Sequence, residues 1–540
     1  MTLHVFRLFF FRLFFLAAFT FSVPCMLATQ SFAQKDPGVR GGLQNTGGGL
    51  QAQGKKIPPP PLISPNPSSE AAITDNEKLL FFEGILRAGQ LESTCDNCAM
   101  VTDGSPAVIN PLNGLKEIDP IFPQFTTNSN GLGARHNADQ CFACHGQPVL
   151  GGSGGFLVPN PVEFVKTGKA NPPENPQFNL IPHRFGKQNI VPSFEQQYGP
   201  IREVRFIYQV DANGDFIRDG NGNLIVDGGV HQLWTVRGIQ HDSTIPSCNL
   251  LQPNFEKQVQ QHNVAFRIPL QMLGLGLIES IQDREILAKQ TASVSQRAAL
   301  GIAGRPNRSG NDGTITRFGW KAQNKSVTMF AGEAYNVEMG ITNELFPTAK
   351  EEDPGCNGPD KPEPNDVTRT ATDDSFNQSF NNPLHILADW MQFQVMMRFT
   401  DGPQPDPHPS ASAIRGKDLF SDIGCALCHT PTMRTAPIMI SAVLQNRPVN
   451  LFSDILLHDM GVGLADGISQ GQAGPREFRS TPLWGVGQRI FFMHDGRTSD
   501  LLEAIKAHQS NGSEANMVIN AFNGLKVPDK QAILDFLRSL

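Results

Sequence analysis

The chain has 540 residues, with 51 Gly, 41 Pro and 44 basic against 51 acidic side chains, for a formal charge of −7. This length exceeds one small domain and suggests roughly two to four units with ample core between them. The charge is spread without long runs of either sign, which argues against a nucleic-acid or anionic-membrane surface, and the Gly and Pro content implies long irregular connections.

The chain opens MTLHVFRLFFFRLFFLAAFTFSVPCMLATQSFAQ. Arg7 and Arg12 stand ahead of or within an apolar run that ends in Ser31, Phe32 and Ala33, a small-x-small pattern, so residues 1–33 read as a signal peptide cut after Ala33 and the chain as periplasmic. An uncleaved membrane anchor is the competing reading. Past Ala33 no apolar stretch approaches the ~18 residues of a membrane span, so none is expected in the mature chain. Residues 34–75, rich in Gly, Gln and Pro, read as a flexible linker.

Asn76–Leu91 has the spacing of an amphipathic helix. Val204–Val230 changes to short β-rich runs split by Asn-Gly and Asp-Gly pairs, the signature of hairpins. Asp211, Asn213 and Asp215 imitate the start of a calcium loop, but Phe216 stands where that loop requires Gly, so plain turns are expected. Polar, Pro-rich stretches at Glu351–Asp366 and Pro403–Pro409 bracket a helical run, PLHILADWMQFQVMMRF, and suggest boundaries. In Thr498–His508, Thr498 can cap a helix whose Leu501, Ala504, Ile505 and His508 share one face. Pro528 can start a last helix that turns Ile533, Phe536, Leu537 and Leu540 inward.

Two motifs carry chemistry. Cys141-Phe-Ala-Cys144-His145 and Cys425-Ala-Leu-Cys428-His429 both match CxxCH, the spacing that attaches haem c through two thioethers and offers the His as an axial ligand. Disulfides or a zinc site beside a bystander His are the bland alternatives. Cys95 and Cys98 form a third CxxC without a His, so no third haem is expected. Cys95, Cys98, Cys248 and Cys356 remain to form one or two disulfides, with three possible pairings. For the sixth position of the second iron the candidates are Met433, His458, Met460, Met493, His494 and His508, any of which could instead be a packed or surface residue.

The two CxxCH motifs, Arg317–Gly340 (RFGWKAQNKSVTMFAGEAYNVEMG) and Thr481–His508 (TPLWGVGQRIFFMHDGRTSDLLEAIKAH) together resemble the bacterial di-haem cytochrome c peroxidase and MauG superfamily. Leu457–Gly467 (LLHDMGVGLADG) is similar to phrases of its long-insert di-haem oxidoreductase branch. The resemblance implies a mainly α protein with two cytochrome c-like domains. These would be an N-terminal haem c domain over residues 76–383, enlarged by a loop- and β-rich insertion at about 151–316, and a C-terminal one over 384–540.

It further implies that peroxide reacts at the haem held by Cys141, Cys144 and His145, with Glu338 as distal acid/base and Trp320 as an electron relay between the haems. The haem on Cys425, Cys428 and His429 would transfer electrons, with His508 at its sixth position. Family peroxidases have Met there and MauG has Tyr, so His should lower the reduction potential. Arg489 and Phe491 stand where the family's calcium site has Thr and Pro, which leaves calcium undecided beside the two haem c groups. The implied reaction is reduction of hydrogen peroxide, or another small oxidant, with electrons from a small periplasmic cytochrome c or cupredoxin. A MauG-like oxidase or di-haem oxygenase on the same scaffold, and a pure electron carrier, are the alternatives; a distal Glu338 argues against the carrier.

Overall fold

The computed structural model describes residues 34–37, 135–137, 144–145, 151–154, 175, 192–196, 199–235, 252–339, 343, 345–346, 397–398, 402–439 and 444–540. The expected helix at Asn76–Leu91, the cysteines Cys95, Cys98, Cys141, Cys248 and Cys356, and the Pro-rich stretch at Glu351–Asp366 lie outside them.

Helices and small sheets make up the described fold. The helices are α1 (Phe255–Gln260), α2 (Leu275–Glu279), α3 (Asp283–Ala292), α4 (Val294–Ala299), α5 (Val327–Met339), α6 (Ala411–Asp422), α7 (Leu501–Ala507), α8 (Asn516–Gly524) and α9 (Val527–Ser539). The strands are β1 (Arg135–His136), β2 (Glu203–Phe206), β3 (Trp234–Thr235), β4 (Val264–Arg267), β5 (Met433–Arg434), β6 (Pro448–Val449), β7 (Leu457–Asp459) and β8 (Glu477–Arg479). They pair antiparallel as β1–β3, β2–β4, β5–β6 and β7–β8. Among the described residues, turns and loops take up much of the chain between these elements, as its Gly and Pro content implies.

The C-terminal core forms where α6 crosses α9. Ser410 caps α6 by accepting from the Ala413 amide at 3.1 Å. A Cβ on Gly416 would lie 1.8 Å from the Ala532 carbonyl oxygen, so only glycine allows the two backbones to meet there. Pro528 sits in the first turn of α9, and Ile533, Leu534, Phe536, Leu537 and Leu540 are buried among Phe420, Phe452, Leu501 and Phe522. Each such side chain contributes about 1.5–3 kcal/mol, an upper figure because the unfolded chain is itself partly collapsed. Arg538 clamps the far end of the sequence to the near one: its Nε and Nη2 donate to Asp36 at 2.7 and 2.6 Å, and Asp36 also accepts from the Leu501 amide at 2.9 Å.

In the β-rich stretch, Val204 and Phe206 of β2 turn into a small core with Leu233 and Phe255. The two Asx-Gly hairpins form as expected. Asp211 Oδ1 accepts from the amides of Asn213 and Asp215, and Asp219 Oδ1 from those of Asn221 and Asn223, each at 2.9 Å. These carboxylates hold the turns. Among the described residues no helix is long and apolar enough to cross a membrane.

Candidate active site

The second CxxCH begins where α6 ends. Gly424, at φ +100°, reverses the chain into a single 3₁₀ turn over Cys425–Leu427, which brings Cys425, Cys428 and His429 to the wall of one cavity of about 210 Å³. His429 donates Nδ1–H to the Phe452 carbonyl at 3.2 Å, and Phe452 itself adopts φ +52°, an unusual backbone state that aims this carbonyl. On the same cavity wall, α7 presents Leu501, Ala504, Ile505 and, at its C-terminal cap, His508. The cap of α7 is Asp500, which accepts from the amides of Leu502 and Glu503, while Thr498 accepts from Asp500. The helix thus starts two residues after the expected cap, because a carboxylate next to the first turn outcompetes the hydroxyl.

His508 donates Nδ1–H to the Ala504 carbonyl at 2.8 Å. Its ring centre lies 6.4 Å from that of His429, with the planes at 68°. An imidazole nitrogen is about 1.1 Å from its ring centre and a metal–nitrogen bond is about 2 Å, so two imidazoles on opposite sides of one metal have centres about 6.2 Å apart. Burial pushes His429 down to about 4, with the charge of His508 acting the same way, and burial also lowers His508. Both rings are therefore neutral, with Nδ1 committed to a carbonyl and Nε2 left as the metal-binding lone pair.

The other candidates divide. His458 has both ring nitrogens engaged, Nδ1 with Glu514 at 2.9 Å and Nε2 with Asp454 at 3.0 Å, so neither can ligate. Met433 is buried in β5 and is not part of the cavity wall, whereas Met460, Met493 and His494 are. His494 stacks on Phe478 at 4.4 Å and meets Trp320 edge-on at 6.3 Å.

A separate cavity of about 140 Å³ holds the first site. Cys144 and His145 line it, and His145 donates Nδ1–H to the Gly152 carbonyl at 3.3 Å. Burial pushes His145 down to about 4 against the pull of the Gly152 and Leu270 carbonyls, which again leaves a neutral ring. Facing them is one side of α5, where Val327, Phe330, Ala331, Ala334, Val337 and Glu338 recur at helical spacing. Asn137 fixes Glu338 twice, its side-chain amide donating to Oε2 and its backbone amide to the Glu338 carbonyl, both at 2.7 Å. Burial, and after it the charge of Glu203, raise the Glu338 carboxyl well above its usual range, against the Asn137 bond and the charge of Arg205.

Trp320 lines both cavities. Its indole N–H donates to the Ile268 carbonyl at 2.9 Å, and its own carbonyl accepts from the Arg479 amide at 2.9 Å, so the ring is held in the partition. Of the expected site residues, His145, Glu338 and Trp320 thus share one cavity, and His429, His508, Cys425, Cys428 and Trp320 the other; Cys141 is outside the described residues.

Residues 240–540 match the family described as "Di-haem oxidoreductase, putative peroxidase". The chain belongs to this family of di-haem oxidoreductases. A solved structure described as a MauG-like protein associated with microbial copper homeostasis is similar over 50% of this chain and 89% of its own, at 16% identity and a TM-score of 0.25. No curated protein matches.

A di-haem oxidoreductase must hold two large apolar rings that carry carboxylates, and the residues present fit that demand. Arg479 and Arg489 are buried on the wall of the second cavity, and among the described residues neither pairs with a carboxylate. Nε of Arg479, and Nε and Nη2 of Arg489, have no hydrogen-bond partner in the protein, and burial alone lowers both guanidiniums to about 10. Buried guanidinium without an acid partner is costly, and a haem carboxylate would satisfy it in the planar geometry Arg favours. Sequence reasoning singled out Arg489 only as a departure at the family's calcium positions and missed Arg479. No local pattern marks either; their burial does.

Proposed function

We propose that this di-haem oxidoreductase is an exported c-type peroxidase that reduces hydrogen peroxide with electrons from a periplasmic small cytochrome c or cupredoxin. In this reading residues 76–383 hold one haem c on Cys141 and Cys144 with His145 as ligand. Residues 384–540 hold the other on Cys425 and Cys428 between His429 and His508, and Arg479 and Arg489 bind haem carboxylates. The observation that carries it is the division of labour between the cavities. A buried acid faces one proximal His, two neutral imidazoles face each other in the other, and Trp320 belongs to both walls.

The bound haems supply iron that binds peroxide and exchanges electrons. The chain supplies the rest. Reduction of peroxide to two waters takes up two electrons and two protons, and Glu338, held protonated by burial and aimed by Asn137, is the group that can move a proton from one peroxide oxygen to the other. Ile268, Leu270, Val327, Phe330 and Val337 keep bulk water from that exchange. Trp320, oriented by Ile268, gives electrons an aromatic path across the partition.

The test uses protein matured in a host that ligates haem. Mass spectrometry should show two added haem groups, and Glu338→Gln should keep both while peroxide turnover with reduced cytochrome c falls about 10²–10⁴-fold. Unchanged turnover removes Glu338 from its role. Imidazole at position 508 also suits a MauG-like oxidase or oxygenase, and oxygen uptake without added peroxide would favour that second reading.

A further inference from the structure

The β-rich stretch that precedes α5 does more than enlarge the protein. Strand β2 alternates sharply: Val204 and Phe206 enter the small core with Leu233 and Phe255, which turns Glu203 and Arg205 to the opposite face. That face is the wall of the first cavity, where Glu203 and Arg205 join Glu338 of α5. Arg205 donates Nε–H to Glu203 and Nη1–H to the Gly228 carbonyl at 2.9 Å, so Glu203 is pinned from within its own strand. Glu203 shares this wall with Glu338, and its charge is, after burial, what raises that carboxyl.

On the cavity wall, the charged groups beside Glu338 come from three elements. Strand β2 brings Glu203 and Arg205, α5 itself brings Glu333, and β4 brings Arg267, which is already spent on Asp466 at 2.7 Å and Gln470 at 2.5 Å. Three carboxyls thus share the wall with the Arg205 guanidinium, which is bonded to Glu203 and to the Gly228 carbonyl. Carboxyls crowded on one closed wall disfavour each other's charge, which is the condition under which two groups come to share a proton.

Resting on the peroxidase reading, we propose that Glu203 is a second carboxyl of the peroxide site, a positioning partner that shares one proton with Glu338 and is held in place by Arg205. The pair starts with its proton on Glu338. As Glu338 takes the proton from peroxide's inner oxygen, its own proton passes to Glu203. It then returns as Glu338 protonates the outer oxygen; the O–O bond breaks with its electron pair going to that oxygen, which leaves as water, and the inner oxygen becomes the second water on taking up two electrons and two solvent protons. The pair ends as it began, and the electrons come from the donor protein.

The test reads protons as well as turnover. In the oxidised holoprotein, the infrared carbonyl-stretch band of protonated carboxyl should persist through neutral pH and be lost in Glu338→Gln. In Glu203→Gln the removal of a neighbouring negative charge should shift its midpoint down by about one pH unit or more. Cyanide binding to the first haem, which requires a group to accept the proton of hydrogen cyanide, should shift its pH dependence in the same direction. If Glu203→Gln loses haem, the wild-type titration still decides: two carboxyl steps more than one unit apart support the pair, and one step in the ordinary Glu range overturns it. Loss of turnover in Glu338→Gln with an unshifted profile in Glu203→Gln overturns this inference alone. Full turnover in Glu338→Gln overturns the peroxidase reading beneath it.

Discussion

His508 ends a helix whose own carbonyl, that of Ala504, takes its Nδ1 proton, and this choice of tautomer leaves the Nε2 lone pair on a ring centred 6.4 Å from that of His429. His508→Met should therefore raise the reduction potential of the second haem by on the order of 100 mV in a spectroelectrochemical titration, since Met/His ligation is the arrangement that raises it. An unmoved potential would mean that His508 is no ligand. The inward turn of this residue was legible in the sequence because an apolar face repeats every three to four residues. Its counterpart His458 was not distinguishable there; only the folded chain brings Asp454 and Glu514 to both of its nitrogens. The CxxCH motifs were legible because their spacing is fixed along the chain itself. Glu203 and Arg479 were not, because tertiary burial alone gives them meaning.

At the scale of elements, the sequence signals for α9 and for the paired hairpins held, since Pro at a helix start and Asx-Gly at a turn act through local geometry. The start of α7 shifted from Thr498 to Asp500 because two adjacent capping residues compete and local pattern ranks them poorly. The meeting of α6 and α9 was invisible in sequence, since Gly416 reads there as an ordinary helix defect. Gly416→Val would drive its side chain into the Ala532 carbonyl. Overpacking of this kind costs about 1–3 kcal/mol or more, and the thermal midpoint should fall by roughly 5 °C or more, with the second haem's spectrum disturbed before the first's. A midpoint within 1–2 °C of wild type would show that the two helices can separate without cost.

Across the whole molecule, ion pairs with little exposure join segments far apart in sequence. Arg267 and Lys321 both reach Asp466, and Arg297 reaches Asp454. Such pairs fix geometry more than they add stability, because desolvation offsets much of their attraction. Glu195 shows the cost directly. It is buried with Asn175 as donor at 2.7 Å, and burial raises it to about 8, opposed by that bond and by the charge of Arg202. Its folded value exceeds its unfolded one, so the contribution is whole below the ordinary Glu range and is lost as pH rises from there to about 8, by on the order of 1 kcal/mol per pH unit. Glu195→Gln should flatten that decline in urea melts between pH 5 and 8, and parallel curves for the two proteins would refute it.

The clamp between Asp36 and Arg538 bears on how the chain matures. Asp36 stands three residues beyond the expected export cleavage and reaches both the last helix and the first amide of the helix that ends in His508. Removing the chain through Asp36 strands the buried Arg538 guanidinium and costs about 3–5 kcal/mol. A shortened product should then melt early and release its C-terminal helix to proteases, whereas one cut at Ala33 should resist them. Whether Asp36 is kept therefore decides how firmly the opposite end of the polypeptide stays shut.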